Sequence, residues 1–293
     1  MLEKSRITIG LPVFNGERTI KKTLDSITSQ TFTDFQVIIS DNNSTDNTPI
    51  LCDEYSKNNS KIKYFRQKKN IGPLNNFKFV LNHANSEYFV WLAADDWWEP
   101  TFLERNTSIL DSNKNFVASV SKIDYYDRDI PSNQKIKNTL RSKIKNTLRS
   151  KIQKYDSYDE YFKIRKYQDR VSFYLRRNRA ENIYGLFRTT IIKKCVTKCW
   201  EKRSVAGDLK ILLYIQRFGE INLLNETLLH RSAKGKSGTR KKKFQNMEGD
   251  FRTVGRLFPR LSYSCWIFRN LGPRVFFNNI DYILLINFIS NRY

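Results

Sequence analysis

From its first residues the chain alternates short apolar runs with segments of helical spacing. Ile7–Val13, Phe35–Ser40, Ile62–Phe65, Tyr88–Leu92 and Phe116–Val120 are short, apolar and bounded by Gly, Asn, Asp or Ser, so they read as strands. Between them Ile20–Ile27, Thr48–Tyr55, Leu74–Ala84 and Thr101–Leu110 repeat as helices do, most plainly at Leu74, Phe77, Leu81 and Ala84. Such alternation predicts a mostly parallel sheet with helices on its faces over roughly the first 125 residues. Farther on, Ile183–Arg188 and Ile221–Leu229 read as strands, and Asp208–Phe218 as a helix with an acid at its start and Gly219 behind it. The final apolar stretch, residues 275–290, would extend about 24 Å as one helix, short of the roughly 30 Å hydrocarbon core, and it contains Asp281. A membrane-spanning helix is not expected there.

Composition sharpens this picture mainly through charge. The 293 residues are 40% hydrophobic, enough for a sizeable core, and carry a net charge of +23. That charge is local. Residues 1–134 hold 16 Lys and Arg against 17 Asp and Glu, whereas residues 135–180 hold 15 against 4 and residues 235–293 hold 11 against 3. Within the first basic stretch the octapeptide KIKNTLRS occurs twice, as Lys135–Ser142 and Lys143–Ser150, which reads as a tandem duplication in a tolerant surface insertion. Cys52, Cys195, Cys199 and Cys265 are irregularly spaced, and neither His83 nor His230 is spaced with Cys195 and Cys199 as a zinc ligand would be. A reduced, cytosolic chain is the expectation. It is reinforced by an N-terminus that enters a strand without an apolar leader.

The polar residues that end the strands carry the candidate chemistry, because ligands of open α/β sheets collect outside the carboxyl ends of strands. After the first strand come Pro12, Val13, Phe14, Asn15, Gly16 and Glu17; after the second, Asp41, Asn42, Asn43, Ser44, Thr45 and Asp46. Asn70, Gly72 and Asn75 follow the third, and Asp95 and Asp96 follow the fourth. In that order LPVFNGE, ISDNNSTDNT, NIGPLNNF and YFVWLAADDWWEP resemble the family 2 glycosyltransferases of GT-A fold. The resemblance is strong over residues 6–125 and weaker over 180–237, through NIYGLFR, AGDLKILL and ETLLHR.

The resemblance implies a GT-A nucleotide-diphospho-sugar transferase: a Rossmann-like, mostly parallel central sheet flanked by helices, with a basic, mostly helical C-terminal extension. It places a glycosyltransferase domain at residues 1–234, made of a nucleotide-sugar-binding half (1–125), a basic insertion (126–180) and an acceptor and catalytic half (181–234), with the extension at 235–293. Pro12, Val13, Asn15 and Glu17 would surround base and ribose, Asp41 would accept from a base imide, and Asn43 would brace that turn. Asn70, Gly72 and Asn75 would let the backbone approach the donor, Gly72 through its permissive φ. Asp95 stands at the last acid of the family's Asp-any-Asp signature and would bridge Mg²⁺ or Mn²⁺ to the diphosphate. Asp96 either touches substrate or caps and orders its loop, and Asp46 has the same local alternative.

Two departures qualify the metal expectation. Ala93 stands where relatives have an acid two positions before Asp95, which thins the protein's share of the coordination. Lys234 lies near the usual position of a histidine and offers its ammonium to the leaving group instead. Asp208 occupies the place of the family's catalytic acid, expected to take the proton from the acceptor hydroxyl in an inverting single displacement. Trp97, Trp98 and Trp200 are candidates for stacking on sugar rings. The basic, aromatic downstream half suits an anionic membrane surface and a glycan or lipid-linked glycan acceptor, as in synthesis of a cell-surface polysaccharide or glycolipid. No RNA-binding signature points to nucleic acid. The competing class is an inactive nucleotide-sugar binder or membrane-associated scaffold, motivated by Ala93.

Overall fold

The computed structural model describes residues 5–126, 164, 166–177, 179–200, 206–232 and 260–290. Contacts divide the chain into two compact units. Met1–Asp127, Glu181–Lys202 and Lys210–Lys236 form the first; Arg128–Ala180, Arg203–Leu209 and Ser237–Tyr293 form the second.

The first unit is built on an eight-stranded sheet. Strands β1 (Ile7–Val13), β2 (Phe35–Asp41), β3 (Ile62–Arg66) and β4 (Tyr88–Trp91) alternate with helices α1 (Ile20–Thr28), α2 (Thr48–Asn58) and α3 (Pro73–His83). β5 (Trp97–Trp98), α4 (Phe102–Ser112), β6 (Phe116–Tyr126), β7 (Leu186–Arg188), α6 (Thr189–Cys199) and β8 (Glu220–Ser232) complete it. The sheet order is β3-β2-β1-β4-β7-β6-β8-β5. β1 pairs in parallel with β2 and with β4, and β2 with β3, so chain order reverses beside β1, and ligands of open α/β sheets bind at the carboxyl end of such a reversal. Every residue of β1 is buried, which explains its unbroken apolar run. At Gly10 of β1 a Cβ would lie 2.7 Å from the Phe89 ring and from Val80 of α3. The bare backbone there lets α3 pack close to the sheet.

The early elements fall where the periodicity places them, and the later ones need correction. Ile183–Arg188 is not one strand: Ala180–Tyr184 is a 3-10 turn closed by Gly185 N–H donating to Asn182 C=O, and only Leu186–Arg188 joins the sheet, antiparallel to β4 and β6. The helix expected over 208–218 is α7 (Gly207–Tyr214), tightening into a 3-10 turn at Ile215–Arg217. Helix α6 and the two-residue β5 escaped the sequence pattern. The long ladder of β6 and β8 runs in parallel to Tyr126 and Ser232, with register shifts that twist it past the rest of the sheet.

The second unit contains α5 (Tyr167–Arg177), α8 (Leu261–Leu271), α9 (Pro273–Asn278) and α10 (Ile280–Ser290). The final apolar stretch is broken at buried Asn279. Its side-chain amide donates to Val275 C=O and Ser172 Oγ at 2.8 Å each and accepts from Arg176 Nε at 2.9 Å. Among the described residues no helix is long and apolar enough to cross a membrane. The duplicated octapeptide and the run Arg240–Lys243 lie outside the described residues.

Candidate active site

The loops that follow β1, β2 and β3 form one hydrogen-bonded edge. Ser44 Oγ accepts from Asn15 N–H at 2.9 Å while Asn15 Oδ1 accepts from Thr45 N–H at 2.9 Å. Asn15 makes this reciprocal clasp in the left-handed region, φ 51°, and Asn43 turns the next loop at φ 62°. Glu17 N–H donates to Asp46 and the Glu17 carboxylate accepts from Asn47 N–H at 3.0 Å. Asp46 also accepts from the backbone and hydroxyl of Thr48 at the start of α2, so its observed task is the local one of ordering that turn. Burial alone would raise its pKa, yet the Thr48 and Glu17 donors leave it below the usual carboxylate value. Pro12 and Val13 are buried at the end of β1, with Val13 in register with Asp41.

Asp41 is sealed inside this edge. Fully buried, it accepts from Ser44 N–H and Oγ on one oxygen, and on the other from Tyr64 OH at 3.0 Å with Arg66 Nε 3.7 Å away. A direct bond from Asp41 to a base would displace Tyr64 or Arg66. Across the β2 and β3 loops Asn42 and Asn70 pair at 3.0 Å, and Asn70 Oδ1 also accepts from Gly72 N–H. Gly72 caps α3 at φ 81° with open space where a Cβ would be, so it is conformation that the position demands. Exposed Asn75 only caps Ile71 C=O, whereas its neighbour Asn76, buried and unanticipated, bonds Ser40 through both ends of its amide.

The loop after β4 is bound to α1 and also to the far end of β8. Thr23 Oγ1 of α1 donates to the carbonyls of Ala94 and Asp96 at 3.1 and 2.8 Å. β5 pairs with β8, Trp97 opposite His230, and this brings Asp96 to Arg231 and Ser232. Asp96, 1% exposed, accepts from Arg231 Nε at 2.9 Å and from Ser232 N–H at 3.1 Å. Burial pushes its carboxyl up to about 6 against the pull of Arg231, and the neighbouring Asp95 charge adds to the rise. Asp96 thus orders the loop. Arg231 lies over the Tyr184 ring at 4.4 Å, and its terminal nitrogens have no hydrogen-bond partner among the described residues. Its only sequence signal was its place in ETLLHR. The Asp95 carboxylate is half-buried and likewise has no protein partner there, while its carbonyl accepts from Tyr126 OH.

The comparisons with known proteins concern family and fold. The profile described as glycosyl transferase family 2 matches residues 8–173, more than half of the chain. The chain belongs to that family. It is 34% identical over 92 residues to the GalNAc(5)-diNAcBac-PP-undecaprenol beta-1,3-glucosyltransferase of Campylobacter jejuni, covering 31% of this chain and 30% of that one. It is 33% identical over 104 residues to glycosyltransferase GlyA of Streptococcus pneumoniae, covering 36% of this chain and 15% of that one. The chain therefore spans only about a third or less of the length of these curated relatives. Among solved structures, S. aureus TarS 1–349 in complex with UDP-GlcNAc superposes with a TM-score of 0.56 at 17% identity, over 82% of this chain and 64% of that one. The mannosyltransferase PcManGT of Pyrobaculum calidifontis, in complex with GDP-Man and Mn²⁺, gives 0.53 at 14% identity, over 84% and 61%. The expected GT-A fold is the observed one.

Within this family member the remaining candidates divide clearly. No group of three or more His, Cys, Asp or Glu among the described residues is arranged to hold a metal. With Ala93 in place of an acid and Asp96 committed to Arg231, Asp95 alone offers a carboxylate; this fits an ion held mainly by phosphate and water, not a protein cage. The tryptophans are not free for sugars. Trp97 is covered on its faces by His230, stacked at 3.7 Å, and by Lys22, 4.1 Å from the ring centroid. Trp98 is buried against Phe102, and Trp200 packs against Trp91 and Phe77. Phe14, by contrast, is 43% exposed in the loop after β1, where sequence reasoning named it without giving it a role. Asp208 is exposed in the first turn of α7 and groups with the second unit rather than with the four loops. Lys234 lies outside the described residues.

Proposed function

We propose that this glycosyltransferase takes its sugar from a nucleotide-diphosphate donor bound along the carboxyl edge of β1–β4 and transfers it with inversion to an acceptor hydroxyl. The observation that carries this reading is the edge where the loops after β1, β2 and β3 join by hydrogen bonds and the β4 loop is held to α1, with the Asp95 carboxylate and the Arg231 terminal nitrogens lacking hydrogen-bond partners among the described residues. A charged pair of this kind, cation beside carboxylate, suits a pyrophosphate that brings its own divalent ion. The ion, held by Asp95 and the diphosphate, would neutralise charge on the departing group. The solved neighbours named above bind UDP-GlcNAc and GDP-Man, which supports a donor of this class.

On the nucleoside side, exposed Phe14 offers a ring face for a base, and Pro12, Val13, Asn15 and Glu17 shape the loop beneath it. Asp41 and Asn43 hold that loop's partner turn, and Asn70, Gly72 and Asn75 form the adjoining rim. On the acceptor side Asp208 removes the hydroxyl proton as that oxygen attacks the anomeric carbon, and the nucleoside diphosphate leaves from the opposite face. Lys234 adds a second cation for the leaving group. The acceptor is a glycan, free or lipid-linked, met at an anionic membrane surface in cell-surface polysaccharide or glycolipid synthesis; the basic excess downstream of residue 134 supports this.

A thermal-shift series with UDP- and GDP-sugars, with and without Mn²⁺, tests the donor half; absence of any shift overturns it. Asp208→Asn is expected to lower transfer by roughly 10²- to 10⁴-fold while the donor-induced shift persists. Near-normal turnover in that variant removes Asp208 from the reaction.

A further inference from the structure

The second unit carries an apolar edge that its own packing leaves open. Phe268, Phe277, Ile280 and Leu284 are 43%, 62%, 37% and 58% exposed, and all four lie on α8, α9 and α10. They are not the ragged rim of a poorly filled core. Tyr263, Trp266, Ile267, Leu271, Val275 and Ile283 of the same helices are buried. Each helix therefore has a filled inward face, and the open residues form a second apolar set. Phe268, Phe276 and Phe277 make one edge-to-face cluster, with ring centroids 5.4, 5.4 and 6.3 Å apart. Ile280 opens α10 three residues after Phe277, and Leu284 follows one helical turn later on the same side as Ile280.

Charge decides what such an edge suits. Exposed Arg269 and Arg274 adjoin the ring cluster in sequence, next to Phe268 and just before Val275. The one acid within residues 260–290, Asp281, is turned to Arg176 of α5, with contacts at 2.7 and 3.0 Å. Among the described residues of α8–α10, exposed aromatic and aliphatic side chains thus accompany two exposed arginines in sequence, and the one carboxylate is paired. A second copy of the chain placed on it would set arginine against arginine with no acid to pair them. An anionic bilayer meets both features at once, phosphate for the arginines and the headgroup boundary for the rings.

We infer that the open edge of α8–α10, formed by Phe268, Phe277, Ile280 and Leu284 with Arg269 and Arg274, docks this chain onto an anionic lipid surface. The inference rests on the membrane reading of the acceptor and names the surface that performs it.

The test uses the full chain with phosphatidylcholine vesicles, with and without phosphatidylglycerol, in flotation at low and high salt. Wild type floats with the anionic vesicles at low salt and is released as salt rises. Phe277→Ser with Leu284→Ser, and separately Arg269→Gln with Arg274→Gln, each reduce the bound fraction by about tenfold or more. These positions are exposed, so circular dichroism and the donor-induced thermal shift stay at wild-type levels. Undiminished flotation of both double variants overturns the inference, as does equal binding to neutral vesicles. So does a dimer that the serine variant abolishes, since it assigns the edge to a second copy. Loss of the donor shift in wild type strikes the catalytic reading instead and leaves the flotation result to stand by itself.

Discussion

Asn15 and Asn43 show how a single backbone angle sets the proposed donor edge. Both occupy the left-handed region that β-branched residues avoid, at φ 51° and 62°. Asn43→Val is expected to cost about 1–2 kcal/mol and Asn43→Gly little, read as midpoints of urea unfolding. Asp96 and Arg231 depend on each other in a different way. Removing the guanidinium leaves a buried carboxylate without its cation, so Arg231→Ala should destabilise by about 3 kcal/mol, while Asp96→Asn with Arg231→Met should recover most of that loss. The same melts with a nucleotide sugar present separate the two roles of Arg231, because the double variant is expected to regain stability without regaining donor affinity. Asp95 was legible as an acid at a strand end and Asp208 as an acid at a helix start. Arg231 and Asn76 were not, because a lone arginine in a strand and the second of two asparagines acquire meaning only from what stands opposite them.

At the scale of elements, close approach governs. Gly10→Ala would press a methyl into Phe89 and Val80, and a loss of about 1–3 kcal/mol is expected in chemical denaturation. An ion cluster ties elements at the opposite end of β1. Arg6, just before that strand, bonds Asp111 of α4 at 2.6 Å and Glu87, just before β4, at 3.3 Å. The Arg6 bond, helped by Tyr88, outweighs partial burial and holds the Asp111 carboxyl below its ordinary 3.8. A depressed folded pKa contributes stability that is present above the unfolded value and lost as pH falls through the folded one. The difference in melting temperature between wild type and Asp111→Asn should therefore be steady near neutrality and shrink between about pH 5 and pH 2. Helices α1–α4 were legible because each repeats an apolar face. β5 was not: two residues carry no period, and this strand exists only because β8 lies beside it.

For the whole molecule, two compact units divide the work proposed for them. The first presents the donor edge and the second an open apolar face. Hydrogen exchange in the presence of a nucleotide sugar should gain protection in the loops after β1–β4 and leave α8–α10 unchanged, whereas anionic vesicles should do the reverse. Matching changes in both regions with either ligand would contradict that division. The charge map anticipates it, since the balanced first 134 residues and the basic remainder are visible in the chain before any fold is drawn.

The sequence by itself determined the alternation of strand and helix over the first 125 residues, the family resemblance, and the acids and amides that end the strands. Those are local properties, written in periods of two and 3.6 residues and in motifs a few positions long. Only the tertiary structure decided that Asp41 is sealed by Tyr64 and Arg66, that Asp96 belongs to Arg231 rather than to a ligand, and that Trp97 spends its faces on Lys22 and His230. Each is a pairing between residues more than 20 positions apart, fixed by which strands lie side by side, and no local pattern encodes it.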